Sequence, residues 1–175
     1  MAGTQTMTYT LEQLAADIRA ALAADPGPTG KAKVGRLMSR VLTDPQFAAK
    51  NLKDRAKGGD PREVLYEDPG LGFCICGHVY DGPANGKPHD HGESWAIYGQ
   101  AAGVTEMTDW KIVEKGAADK PTLVEPVRTY EMKPGDAHLY DIGAVHSPRR
   151  AAACKLVRIE GKNLDHVKRT NIKAK

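Results

Sequence analysis

Two periodicities divide this chain. Over the first sixty residues apolar side chains recur every three or four positions: Leu11, Leu14, Ile18 and Leu22 in one stretch, and Val34, Leu37, Met38, Val41 and Leu42 in the next. That spacing puts them on one side of a helix, with polar residues opposite. Thr10 followed three residues later by Gln13 has the pattern of a capping box, and Asp25-Pro26-Gly27-Pro28 is a stop signal. A third helix is expected from Asp44-Pro45, with Asp as N-cap and Pro at the first helical position. From Val64 onward the period shortens. Strand-like segments fall at residues 64–66, 73–80, 95–98, 104–113, 122–132, 137–141 and 155–160. Turn signals such as Asp68-Pro69-Gly70, Asp81-Gly82-Pro83 and Lys133-Pro134-Gly135 separate most of them. Short strands with frequent Gly/Pro turns predict an all-β sandwich or barrel, here with an N-terminal helical segment.

Within the second region, two histidines carry the chemistry. Pro88-His89-Asp90-His91-Gly92 places a His-x-His pair in an extended stretch, where side chains two apart point the same way. Two neutral imidazoles on one side can hold a borderline divalent metal. A third ligand is available downstream. Lys133-Pro134-Gly135-Asp136 makes a turn, a short strand follows, and Gly143-Ala144-Val145-His146 closes the pattern. His89, His91 and His146 are the expected metal ligands. The positions four and five past His91 are Trp95 and Ala96, so no carboxylate follows in register, and Glu93 lies too close. Imidazoles alone allow zinc, iron, nickel or copper.

Composition adds limits. At 175 residues the chain is expected to form one structural domain, with residues 1–62 as a helical segment packed on a barrel of residues 63–175. No apolar run approaches the roughly 20 residues of a membrane span, and the N-terminus lacks a signal-peptide core; a cytoplasmic location is expected. Three cysteines do not suggest a disulfide framework, and Cys74 and Cys76 read as reduced thiols on a strand. A net charge of +3 is too small to suggest nucleic acid. The basic C-terminal stretch reads as a solvated end, and no membrane role is expected.

The early His-x-His and the later Pro-Gly-Asp turn ending in a lone His resemble the two motifs of the cupin superfamily. More closely, the chain resembles the cysteine dioxygenase group of thiol dioxygenases. The similarity runs from the Thr10–Ile18 helix through Phe73-Cys74-Ile75-Cys76-Gly77-His78-Val79-Tyr80, His89-Asp90-His91-Gly92 and Gly103-Val104-Thr105-Glu106 to His146. The resemblance implies a cupin jelly-roll β-barrel (a double-stranded β-helix) binding Fe(2+) through three histidines, with Zn(2+) or Ni(2+) as alternatives. It implies dioxygenation of a small organic substrate by dioxygen, a thiol carboxylate first. Diketone or hydroxyketone cleavage, a zinc or nickel lyase or isomerase, and a non-enzymatic binding module are the rivals. Cupins often form homodimers.

The family also places a His and a Tyr on its last strand. Here that strand, Lys155-Leu156-Val157-Arg158-Ile159-Glu160, offers Val157 and Ile159 in one register and Arg158 and Glu160 in the other. Ala96 stands where some members have the cysteine that cross-links to that Tyr. If residues 73–89 align without a gap, Cys76, His78 and Tyr80 share one strand face that looks into the pocket, making His78 and Tyr80 catalytic candidates. Arg62 stands near the family's carboxylate-binding arginine, either in that role or paired with a neighbouring acid. Tyr98 is a further pocket candidate or core filler. His138 and His166 read as surface histidines.

Overall fold

The computed structural model describes residues 9–175. Three helices come first: α1 (Leu11–Ala24), α2 (Pro28–Leu42) and α3 (Pro45–Asn51). Thr10 and Gln13 form the expected capping box on α1, and Asp44 caps α3 through Gln46 and Phe47. Ten strands follow: β1 (Arg62–Glu67), β2 (Cys74–Tyr80), β3 (Ala84–Asn85), β4 (Ala96–Ala102), β5 (Thr105–Glu114), β6 (Thr122–Met132), β7 (Ala137–Tyr140), β8 (Val145–Arg150), β9 (Cys154–Glu160) and β10 (Ile172–Ala174). They make two five-stranded sheets, ordered β1-β2-β9-β4-β7 and β10-β6-β5-β8-β3. The architecture is mainly β, a jelly roll with an N-terminal helical layer.

The first sheet is buried on both faces, and this shapes its sequence. Ile75 and Val79 of β2, Ile97 of β4, and Val157 and Ile159 of β9 face the helices. They pack with Leu14, Ile18, Val34, Met38, Leu42 and Phe47. Gly99 lets α2 sit this close: a Cβ there would meet Leu42 Cδ2 and Met38 Cε at 2.7 Å. The opposite face looks inward. Ala96, Tyr98, Met107, Met132, Tyr140, Cys154 and Leu156 form a second, smaller cluster there. The alternation of side chains settles the register of the last strand: Arg158 and Glu160 point inside the barrel, while Val157 and Ile159 belong to the helix-facing core.

Two parts of the pattern differ from expectation. β8, which carries His146, Pro148 and Arg150, is a strand the sequence pattern does not predict. Pro148 and the flanking charges mask it, since proline is unusual inside a strand. The basic C-terminal stretch is not a free end: β10 pairs in parallel with β6, and Thr170 bonds Asp90 through both its amide and hydroxyl.

Candidate metal centre

His89 and His91 lie on an extended loop rather than on a regular strand. The loop is held against β8 by two reciprocal backbone bonds between His89 and His146, both 3.0 Å. Between the histidines, the buried Asp90 carboxylate accepts from the Gly92 amide and from Thr170. Gly92 takes a left-handed φ of +57°, and a Cβ there would stand 2.3 Å from the Lys168 carbonyl. The C-terminal stretch therefore clamps the loop, a contact with no signal in local sequence.

One ring nitrogen from each of His89, His91 and His146 lies within 4.8 Å of the others. His89 donates its Nδ1–H to the Lys87 carbonyl (2.8 Å), and His146 does the same to the Ala144 carbonyl (3.1 Å). That tautomer leaves each Nε2 as a lone pair, the form a metal needs, and backbone carbonyls commonly orient metal-binding histidines this way. Burial lowers the pKa of all three rings; for His91, with Arg158 adding to the effect, to about 2. Adjacent buried lone pairs with few protons to share suit a cation. No carboxylate joins the group, and Glu93 sits on the surface with Lys162.

Tyr98 closes the centre from below. Its hydroxyl is 3.1 Å from His91 Nε2 and 3.2 Å from His146 Nε2, and it accepts from Arg158 Nη1 at 3.1 Å. The Tyr140 ring stacks on His146 with centroids 3.9 Å apart. Tyr140 in turn shares a hydrogen bond with Tyr130 (2.6 Å), which donates to Asp109. His138 is not an ordinary surface residue: its ring is half-buried against Tyr130 and Tyr140. His166 is exposed, as expected.

A cavity of about 450 Å³ opens beside His89 and Tyr98. His78 and Tyr80 line it, so β2 presents the anticipated face. His78 is buried, its Nε2 has no hydrogen-bond partner, and burial among arginines keeps it neutral. Five cationic side chains line the cavity (Arg62, Lys87, Arg150, Arg158 and Arg169), and no carboxylate does.

Arg62 is fully committed. Its Nε and Nη2 donate to the two oxygens of Glu160 (3.1 and 2.8 Å), its Nη1 to Asp165 (3.0 Å), and its Nη2 also to Asn163 (3.1 Å). A guanidinium has five N–H groups, and these contacts occupy them, so the pairing with neighbouring acids is the arrangement observed. Arg158 also donates to Glu160, through Nε and Nη2. Glu160 is thus a buried carboxylate clamped between two arginines. Arg150 and Arg158 are cavity residues that sequence reasoning left without a role. Arg158 was visible only as one of two registers, and Arg150 lay outside every strand-like segment.

No protein-family model matches the chain, and no curated protein does. Solved structures similar in shape include an uncharacterized conserved protein with a double-stranded β-helix domain from Klebsiella pneumoniae (13% identity, 74% of this chain and 92% of that one, TM-score 0.49). A cupin superfamily protein from Desulfitobacterium hafniense shares 10% identity over 63% of this chain and 84% of its own, with a TM-score of 0.46. A recombinant oxalate oxidase in complex with glycolate shares 16% identity over 67% of this chain and 59% of its own, also at 0.46. At these identities the likeness is one of chain path. Among the described residues, no helix is long and apolar enough to cross a membrane.

Proposed function

We propose that this protein is a mononuclear three-histidine metal enzyme that oxygenates a small organic acid. The observation that carries the reading is the joining of a neutral, buried three-imidazole group to a cavity lined by five cations and no carboxylate. Neutral ligands leave the charge of a divalent metal uncompensated; Glu160 and Asp165 offset Arg62 and Arg158, but Lys87, Arg150 and Arg169 add to it, so the molecule that enters should bring negative charge. Iron(II) and dioxygen rest on the sequence resemblance, as does a thiol carboxylate as first substrate. A bound iron(II) would supply open coordination positions and one-electron chemistry toward dioxygen.

The chain's own groups have definable parts. Tyr98, held by Arg158, bonds the His91 and His146 Nε2 atoms while no metal takes them. Its hydroxyl also presents a hydrogen bond at the edge of the centre. His78, neutral and unpartnered at Nε2, stands on the cavity wall, where it can hydrogen-bond an entering substrate. Tyr140, Met107 and Leu156 exclude water from the inner wall.

One observation favours a second reading. The inward positions of β9 hold an Arg–Glu pair instead of the family's His and Tyr. Cleavage of a diketone or hydroxyketone, which does not need that pair, follows if thiol acids are inert. Oxygen uptake by iron(II)-loaded protein, screened with thiol acids and diketones, tests both. Uptake lost in His146→Ala supports the proposal. A zinc- or nickel-loaded protein that turns over substrate without consuming oxygen would replace it with a lyase or isomerase.

A further inference from the structure

Arg150 is the one buried cavity arginine whose charge no carboxylate offsets. It is 4% exposed, makes no ion pair among the described residues, and its Nε has no hydrogen-bond partner. Its guanidinium carbon lies 4.2 Å from the Tyr80 ring centre, a cation–π contact that steadies the group without neutralising it. The neighbouring candidates bring no charge. Burial holds the Tyr80 phenol and the Cys154 thiol protonated. Glu160 is taken by Arg62 and Arg158. A buried, uncompensated cation is costly, and a ligand that supplies the missing anion recovers that cost. The second donor is close at hand: His78 lies two residues before Tyr80 on the same face of β2, also with a buried unpartnered nitrogen.

The register places this pair away from the metal end. His146, Pro148 and Arg150 share one face of β8, so the Cα atoms of His146 and Arg150 are roughly 13 Å apart at about 3.3 Å per residue. The facing sheet agrees. Tyr98 and Cys76 both pair with Arg158, while His78 lies one rung beyond and Tyr80, paired with Cys154, two rungs beyond. With side chains standing upright on the sheet, the two ends lie farther apart than a two-carbon acid reaches.

We propose that Arg150 and His78 form a carboxylate-binding subsite, and that the substrate is an organic acid whose carboxylate lies several bonds from the end that meets the three histidines. The length requirement rests on the metal-enzyme reading above; the anion subsite does not. A guanidinium fork backed by one imidazole suits a planar monoanion.

Calorimetric titration of the full-length protein with hexanoate and with uncharged hexanamide tests the subsite. Hexanoate should bind saturably to the wild type, and at least tenfold more tightly than hexanamide. Arg150→Gln should weaken hexanoate at least tenfold, and Arg150→Lys should fall between. Circular dichroism on each variant checks that the fold is kept, and His78→Ala provides an independent weakening if Arg150→Gln does not fold. Wild-type protein stripped of metal should still bind hexanoate saturably and more tightly than hexanamide, which separates this proposal from the metal reading. Equal binding of acid and amide, unchanged affinity in the folded Arg150 variants, or no saturable binding to the wild type would overturn it.

Discussion

The two faces of the first sheet are built from the same strands and obey opposite rules. On β9, Val157 and Ile159 point to the helices and join the apolar core there, while Arg158 and Glu160 point inward to a wall of arginine, histidine and tyrosine. The outer face is closely packed, down to the missing side chain of Gly99. The interior it faces retains buried polar atoms without partners at His78 of β2, at His91 of the loop and at Arg150 of β8. The outer face stabilises the fold by burying apolar surface. The inner face holds costly groups in place, and such groups concentrate at functional sites. Changes on the two faces should therefore separate stability from ligand and metal binding.

The largest effect is expected inside. His91→Ala should abolish stoichiometric metal binding, measured by elemental analysis, while the midpoint of urea unfolding in the metal-free state changes little. Glu160→Gln comes next. Removing the carboxylate leaves Arg62 and Arg158 without their shared buried partner, a loss of about 3–5 kcal/mol in denaturant unfolding. This is the one inner-face position where stability and site are coupled. Burial alone would raise the Glu160 pKa, but the Arg62 hydrogen bonds and the Arg158 charge hold it below the ordinary carboxylate value. A depressed pKa in the folded state contributes stability above the unfolded pKa, which is lost as pH falls through the folded one. The acid arm of the stability profile should therefore flatten in Glu160→Gln.

Ile159→Ala, on the opposite face of the same strand, should cost about 2–5 kcal/mol and leave metal content unchanged. The smallest effect is expected at the C-terminal clamp. Thr170→Ala removes the hydroxyl bond to Asp90 and should cost about 1.5 kcal/mol. If it weakens metal binding as well, the clamp positions the His89–His91 loop; unchanged affinity would make it purely structural.

The outer face was the legible one. Helical periodicity, the capping box at Thr10 and the Asp44-Pro45 start are local signals, and all three helices follow from them. The His-x-His motif and His146 were equally local, and the fold brings them together. What escaped depends on contacts far apart in sequence. Arg62 reaches Glu160 and Asp165 across about a hundred residues. Whether Arg158 or Val157 faces inward is a single-residue question of register, fixed only by pairing with β2 and β4. Arg150 lay hidden beyond Pro148, on a strand whose composition does not resemble one. The C-terminal clamp reads as a plain basic stretch until Asp90 and Thr170 are seen together.

The most direct test of the central claim is an anaerobic titration of metal-free protein with iron(II), run beside His89→Ala, His91→Ala and His146→Ala. One equivalent bound by the wild type and none held tightly by any of the three variants is the predicted result. Binding that survives in the variants, or no binding by the wild type, would contradict a metal centre at these histidines.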